Sequence, residues 1–235
     1  MKIALLGYGK MGKIIDRIAL DRGHEIVGRI ASTNQHELKN LKADVAIEFS
    51  NPEAAYTHVK FCIEHQIPVV CGTTGWLSCK PELEKLTHDC NAAFFYASNF
   101  SVGVNIFFRL NEYLARMMNT HNEYNVQLDE VHHTEKKDAP SGTAISLAEG
   151  IMKHMERKKK WVNQPTNDDS EIAISSFRID QVPGTHLVKY VSEIDDLEIR
   201  HIAHSREGFA RGAVMVAEWM PGKKGVLTME DFLQF

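Results

Sequence analysis

Two adjacent histidines followed by two adjacent lysines are the residues of this chain best suited to proton chemistry. They lie in residues 130–144, which read EVHHTEKKDAPSGTA. The imidazole of histidine exchanges its proton near neutral pH, and the ammonium of lysine is a point charge that can give up a proton. His132 and His133, with Lys136 and Lys137 close behind them, therefore predict a loop that transfers protons. The alternative is a pair of solvent-exposed loop histidines without a chemical role.

The residues after this loop predict a helix whose beginning would bind an anion. Residues 144–152 have apolar residues at helical spacing, so Ser141 is expected to cap a helix there. Gly142 and Thr143 would then present unbonded backbone N–H groups. A helix N-terminus beside cationic side chains favours a negatively charged group. We therefore expect the loop to act on an acidic substrate.

A glycine-rich turn near the beginning of the chain predicts a dinucleotide site. Residues 3–6 form an apolar strand, residues 7–12 read GYGKMG, and a helical pattern of apolar residues follows. Glycines in this GxGxxG arrangement permit a tight turn and a close approach of the backbone to a pyrophosphate. A plain strand-to-helix turn is the alternative. The candidate cofactor-binding residues of the turn are Gly7, Tyr8, Gly9, Lys10, Met11 and Gly12.

The end of the second predicted strand bears on which nicotinamide cofactor is bound. In an NAD site, an acidic residue about twenty residues after the glycines binds the ribose 2′-hydroxyl. Residues 31–34 read ASTN here, so no acid would repel a 2′-phosphate. We expect NADPH to be accepted as well as NADH, with Ser32 at the cofactor. Arg29 either contributes to this site or points to solvent.

Strands and helices alternate through the first half, which indicates an α/β domain with a doubly wound parallel sheet. Small and polar residues follow the fourth and fifth strands, where such a sheet binds its ligand. The residues expected to contact the cofactor there are Gly72, Thr73, Thr74, Ala97, Ser98, Asn99 and Phe100. The second half predicts a long helix followed by strands at residues 125–129, 172–179, 186–194 and 197–203. This pattern indicates an α+β domain with a mostly antiparallel sheet.

Composition and charge argue against several classes of protein. The 235 residues have a net charge of −4 and a pI near 6.3, which gives no overall attraction to nucleic acid. The basic residues 156–160 are expected to be a solvated helix end. No apolar run approaches the roughly 18 residues of a membrane span, and the four cysteines lack paired spacing. We expect a cytoplasmic protein with reduced thiols, without a metal site and without nucleic-acid or membrane partners.

With the loop and the glycine turn together, the chain resembles the dihydrodipicolinate reductase family. The resemblance rests on the His-His-x-x-Lys…Asp-Ala-Pro-Ser-Gly-Thr-Ala segment and on residues 72–75, 97–105 and 205–213. It implies reduction of 4-hydroxy-tetrahydrodipicolinate, a dicarboxylate, to tetrahydrodipicolinate with NADPH or NADH, in diaminopimelate and lysine synthesis. It also implies a Rossmann domain at residues 1–101 and 213–235. Residues 102–212 would form a substrate-binding and oligomerisation domain, usually within a homotetramer.

The resemblance further implies individual roles in the loop. His132 would be the catalytic proton donor and acceptor and Lys136 the second proton donor, whereas His133, Gly142 and Thr143 would hold the substrate. From the residues alone, Lys136 and Lys137 are equal candidates, because spacing cannot choose between neighbours. The glycine turn is one residue shorter than the GxxGxxG common in the family.

Two other functions compete with this assignment. Another nicotinamide reductase of the same architecture would explain the glycine turn and the strand ends but not the central segment. A catalytically silent NAD(P) sensor could also keep those loops, yet it would have no need for His132 and Lys136. Both residues are present, which favours the reductase.

Overall fold

The first hundred residues alternate between strands and helices, as the sequence predicts. The computed structural model describes residues 1–205 and 207–234. In chain order the elements of this part are β1 (Lys2–Leu6), α1 (Lys10–Asp21), β2 (Glu25–Ile30), β3 (Val45–Glu48), α2 (Pro52–Glu64), β4 (Val69–Cys71), α3 (Lys80–Asp89) and β5 (Ala93–Tyr96). Two short 3-10 helices lie at Gln35–Asn40 and Leu77–Cys79.

The later elements are a long helix, a group of strands around a second helix, and a short closing segment. They are α4 (Val102–Met118), β6 (Asn125–His132), α5 (Gly142–Met152), β7 (Lys160–Val162), β8 (Glu171–Arg178), β9 (Gly184–Val191), β10 (Asp196–Ala203), α6 (Glu207–Trp219), β11 (Gly225–Leu227) and α7 (Met229–Leu233). Within the described ranges, no helix combines the length and apolar character needed to cross a membrane.

The chain divides into two compact units. The first comprises Met1–Val102 together with Glu207–Phe235, and the second comprises Gly103–Arg206. The boundary expected at residue 213 lies inside α6, and this helix belongs to the first unit from its beginning at Glu207. The reason is packing, because the buried face of α6 enters the same apolar cluster as β1, β3 and α1.

The first unit is built on a six-stranded parallel sheet. Its strand order is β11-β5-β4-β3-β1-β2, and every neighbouring pair is parallel. Successive residues of one strand enter different apolar clusters, for example Leu5 with α1 and α6 but Leu6 with α2 and α3. Helices therefore cover both faces, which confirms the doubly wound, Rossmann-like architecture.

The second unit contains a mixed sheet of five strands in the order β10-β9-β6-β8-β7. The pairs β10–β9 and β9–β6 are antiparallel, whereas β6–β8 and β8–β7 are parallel. The sheet expected to be mostly antiparallel is therefore mixed, with two of its four strand pairs parallel. Helix α5 carries the chain back between β6 and β7, and the loop at residues 163–170 does so between β7 and β8. Crossovers of this kind are what parallel strands require.

One lysine of the basic run is buried rather than solvated. Lys158 is 2% exposed, and its ammonium donates to the Asn125 side chain at 2.5 Å and to the Glu171 carbonyl at 2.9 Å. Burial lowers its pKa, and the charge of Arg157 adds to this effect. α5 ends at Met152 and β7 begins at Lys160. Residues 156–159 therefore lie in the connection, and the basic run is not a helix end.

Candidate active site

The end of β6 places a histidine directly against a buried carboxylate. Glu130 and His132 are two residues apart on one strand, so their side chains lie on the same face of the sheet. The Nδ1 atom of His132 forms a short hydrogen bond with Glu130 Oε2. Glu130 is fully buried and His132 is 8% exposed. The residue expected to carry out proton transfer is thus oriented by an acid to which the sequence interpretation gave no role.

An arginine from the neighbouring strand completes this network. Arg178 lies opposite His132 in the β6–β8 register, and its Nη2 donates to Glu130 Oε1 at 2.9 Å. Burial raises the pKa of Glu130, but hydrogen bonds from His132, Arg178 and Ser176 outweigh it and bring the pKa to about 2. Glu130 is therefore ionised at neutral pH, and its carboxylate is hydrogen-bonded to both His132 and Arg178.

The same arginine also fastens the loop that contains Lys136. Its guanidinium donates to the Asp138 carbonyl at 2.6 Å and to the Lys136 carbonyl at 3.3 Å. The Lys136 ammonium lies 2.8 Å from both oxygens of the Asp138 carboxylate, which lowers the pKa of Asp138. Lys136 is therefore placed within a tethered turn, whereas Lys137 is exposed. This difference between neighbouring lysines could not be derived from their spacing.

A second buried histidine was not identified from the sequence. His186 of β9 pairs with Glu130 in the strand register, and its ring centroid lies 5.1 Å from that of His132 with 70° between the planes. Its Nε2 is 3.1 Å from Ser141 Oγ. Burial, followed by the proximity of His132, lowers the pKa of His186 to about 3. His186 is therefore neutral at physiological pH.

The turn before α5 has the form expected from the sequence. Ser141 caps the helix, and its Oγ accepts a hydrogen bond from the Ala144 N–H at 3.2 Å. Gly142 and Thr143 form the first turn; Gly142 is exposed and has open space where a side chain would lie. His133 is half-buried in the loop that follows β6. Unbonded N–H groups at this helix start are available to an anionic ligand.

Glu130, His132 and His186 also form a group with the composition of a metal site. One ligand atom from each lies within 4.8 Å of the others. However, one oxygen of Glu130 already accepts from His132 and the other from Arg178, whose positive charge opposes a cation at this carboxylate. Both oxygens of the carboxylate are thus engaged in hydrogen bonds, although Nδ1 of the buried His186 has no hydrogen-bond partner among the residues that the structure describes.

The glycine turn of the first unit is shaped by close backbone contacts. Gly7 has a φ of +100°, and a Cβ atom there would lie 2.1 Å from the Phe49 carbonyl oxygen. A Cβ on Gly12 would lie 2.2 Å from the Gly7 carbonyl oxygen. Gly9 has nothing within 4 Å of such an atom, and it immediately precedes α1. The turn therefore packs strand and helix closely and leaves the helix start open, as a pyrophosphate requires.

Arg29 is paired rather than solvated. Its guanidinium donates to both oxygens of Asp16, at 2.7 and 2.9 Å, and Tyr8 makes a short hydrogen bond to the same carboxylate. These contacts hold the pKa of Asp16 below its ordinary value, with the Arg29 hydrogen bond as the largest cause. Arg29 therefore lies beside the glycine turn. Ser32 is exposed beyond the end of β2.

The other candidate cofactor residues follow β4 and β5, which are neighbours in the sheet. The Ser50 N–H donates to Thr73 Oγ1 at 2.9 Å, and the buried Glu48 accepts from both Ser50 and Cys71. Thr74 and Ser98 are exposed, Gly72 and Asn99 are half-buried, and Thr73 and Ala97 are buried. Phe100 is 1% exposed and belongs to the core of the unit, so only its backbone could reach a ligand.

Two protein-family models match this chain. The model of dihydrodipicolinate reductase, N-terminus, matches residues 1–100, and that of dihydrodipicolinate reductase, C-terminus, matches residues 103–233. The chain belongs to the dihydrodipicolinate reductase family. This membership confirms the resemblance drawn from the motifs, and it accounts for both units.

Relatives in the dihydrodipicolinate reductase family match over their full length. The 4-hydroxy-tetrahydrodipicolinate reductase of Christiangramia forsetii is 47% identical over 234 residues, covering 99% of this chain and 98% of that protein. The protein of the same name from Archaeoglobus fulgidus is 34% identical, with 100% of both chains covered. Among solved structures, dipicolinate-bound dihydrodipicolinate reductase from Paenisporosarcina sp. TG-14 shares the fold, with a TM-score of 0.83 at 20% identity over 99% of each chain.

The buried, neutral His186 predicts how stability depends on pH. Below about pH 6.5 the unfolded chain binds a proton at this residue and the folded chain does not, so the folded state loses stability as pH falls. We expect His186→Gln to reduce this loss by about 1.4 kcal/mol per pH unit between pH 6 and pH 4. Denaturant unfolding of both proteins across that range measures the difference. If the unfolding free energy had the same slope against pH in both proteins, His186 would have to take up a proton in the folded state.

Proposed function

We propose that this protein reduces 4-hydroxy-tetrahydrodipicolinate to tetrahydrodipicolinate with NADPH or NADH, in the diaminopimelate route to lysine. The proposal depends mainly on His132, a buried histidine whose ring is hydrogen-bonded to the carboxylate of Glu130. It lies in a segment with lysines and a helix N-terminus, which are groups that bind carboxylates. Two family models over residues 1–100 and 103–233, and a 47% identical relative of that name, support the same activity.

The two units divide the binding tasks. The first unit would hold the dinucleotide, because its glycine turn leaves the start of α1 open and the carboxyl ends of its strands present small and polar residues. The second unit would bind substrate through His133 and the N–H groups of Gly142 and Thr143, which suit carboxylate groups. When bound, the nicotinamide supplies the hydride.

Both reduced cofactors should be used. An acid at the end of β2 would repel the 2′-phosphate of NADPH, and residues 31–34 contain none. Arg29 adds a positive charge next to the glycine turn, although Asp16 neutralises it in part. Neither feature would weaken the binding of NADH. We therefore propose dual use, with Ser32 near the adenosine ribose.

Residues of the loop would donate the protons that the reaction needs. Loss of water from the substrate yields a C=C bond conjugated with the ring imine. Hydride addition to the far carbon of that bond pushes electron density onto nitrogen, and an acid must supply the proton that balances the hydride. His132 would supply this proton from Nε2, since its Nδ1 faces Glu130. Lys136 would be the second donor, and its turn is held by Arg178 through the carbonyls of residues 136 and 138.

The exposed face of the second sheet favours self-association, and we propose a homotetramer formed through it. Ile202, Thr185, Val131 and Phe177 pair in one row across four strands, on the face opposite the core residue His132. Phe177 is 49% exposed and Ile202 44%. Three of these four residues are apolar, and an exposed apolar row is typical of an interface. We also propose a cytoplasmic location, since all four cysteines are free thiols.

Tetramer formation predicts a specific change in mass. We expect the wild-type protein to sediment as four chains of 26.6 kDa, and Phe177→Glu to dissociate it by placing charge in the apolar row. Ile194→Glu is the matched control, because Ile194 is 89% exposed but lies in the turn between β9 and β10. Sedimentation equilibrium at micromolar protein measures both. A monomeric wild-type protein would contradict the proposal.

The activity is tested by a coupled spectrophotometric assay. The condensation product of pyruvate and aspartate semialdehyde is generated in situ, and NADPH or NADH is added with the purified protein. We expect absorbance at the reduced-nicotinamide band to fall only when all components are present, with both cofactors supporting turnover. If neither cofactor is consumed in a substrate-dependent way, the proposed function is wrong.

His132→Gln separates chemistry from cofactor binding. Removal of a proton-transfer group costs about 10²–10⁴ in kcat. The dissociation constant of NADPH should stay within about twofold, because His132 belongs to the second unit. His121→Gln, at an exposed histidine of the same unit, is the control and should retain wild-type kcat. A comparable loss of NADPH affinity in His132→Gln would contradict the assigned role.

A further inference from the structure

The buried carboxylate of Glu130, which is hydrogen-bonded to His132, does more than neutralise positive charge nearby. We propose that Glu130, held in place by Arg178, is a positioning residue that fixes His132 as the Nδ1–H tautomer, so that only Nε2 exchanges protons with the substrate. This inference rests on the proposed function for its catalytic consequence. The tautomer itself is a property of the free protein and can be tested without substrate.

Arg178 orients the carboxylate of Glu130. A guanidinium can only donate hydrogen bonds, so Arg178 must face an oxygen of Glu130, and it does so at 2.9 Å from Oε1. Its remaining contacts are to backbone carbonyls of residues 136, 138 and 177, which prevent it from turning away. Only Oε2 is then left for His132.

The ionised carboxylate determines which ring nitrogen of His132 carries the proton. Glu130 is ionised, since its pKa is about 2, and an ionised carboxylate can only accept. The hydrogen bond between Oε2 and the ring must therefore use a proton on Nδ1. In the neutral ring this leaves Nε2 without a proton, and in the protonated ring it makes Nε2–H the group that can be given to a substrate.

The space beside Nε2 of His132 is kept free by a glycine. A Cβ atom on Gly184 would lie 3.1 Å from His132 Nε2 and 3.3 Å from Cδ2, so any larger residue would crowd this edge of the ring. Gly184 begins β9, two residues before His186, whose ring flanks His132. The reactive edge is thus kept clear by a glycine while the opposite edge is held by Glu130.

Arg178 also links the two proposed proton donors. One guanidinium contacts the carboxylate that orients His132 and the two carbonyls that hold the turn of Lys136. The positions of both donors therefore depend on a single side chain, which lies opposite His132 in the neighbouring strand.

The test is Glu130→Gln in the full-length protein. Arg178 must keep the amide oxygen, so the NH₂ group of Gln would face Nδ1, which must then accept. We expect the neutral ring to switch to the Nε2–H tautomer, and side-chain ¹⁵N chemical shifts of His132 to exchange between the two nitrogens. His132→Gln assigns the signals. We expect kcat to fall at least about 100-fold, as in other enzymes where an amide replaces the acid that orients a catalytic histidine.

The control is Glu171→Gln, which removes another carboxylate of the same sheet that is paired with a cation, Lys160. It should leave both the His132 spectrum and kcat unchanged. If Glu130 were merely structural, Glu130→Gln would lower the unfolding free energy but keep the wild-type tautomer and the kcat per folded molecule, and this result would overturn the proposal. Should the variant fail to fold, the wild-type spectrum still decides, because a neutral His132 protonated at Nε2 contradicts the inference.

The two proposals fail in different ways. A protein with the Nδ1–H tautomer and no substrate-dependent oxidation of NADPH or NADH would refute the reductase assignment and leave the tautomer assignment standing. An active wild-type protein whose Glu130→Gln variant keeps its tautomer and its kcat would refute only the role of Glu130.

Discussion

The carboxylate of Glu130, buried between His132 and Arg178, is the interaction on which the candidate active site depends. A charged group without partners inside a protein costs several kcal/mol, so this carboxylate requires both neighbours. Meeting that requirement fixes the register of β6 against β8 and the orientation of the histidine ring. Through the arginine it also fixes the turn that contains Lys136. Structural stability and placement of the proposed proton donor therefore arise from the same contacts.

The first unit uses buried acids in a comparable way. Asp16 of α1 joins Tyr8 of the glycine turn to Arg29 at the end of β2, and Glu48 at the end of β3 joins Ser50 to Cys71. In each case a carboxylate connects segments at the carboxyl ends of parallel strands, where this type of sheet binds its ligand. Rigid loops at that edge reduce the entropy lost when a dinucleotide is bound.

Local features of the chain were predictable from sequence, whereas long-range partners were not. The glycine turn, the alternation of strands with helices and the cap at Ser141 depend on residues within a few positions of each other. Arg178 lies 48 residues from Glu130, and His186 lies 45 residues from Ser141. Finding them requires knowing which strands pair with each other, whereas alternating apolar residues indicate only which side chains of one strand share a face. The parallel pairing of β6 with β8 and the burial of Lys158 were missed for the same reason.

The most direct test of the central claim follows the hydride itself. Tetrahydrodipicolinate is formed from the condensation product of pyruvate and aspartate semialdehyde in the presence of NADPH deuterated at the transferring position of the nicotinamide, and its mass is measured. We expect one deuterium on carbon in each product molecule, with the proton that balances the hydride drawn from solvent through the proposed donor His132. Product without deuterium, or no product above the level seen without protein, would contradict the assignment of this chain as a nicotinamide-dependent reductase.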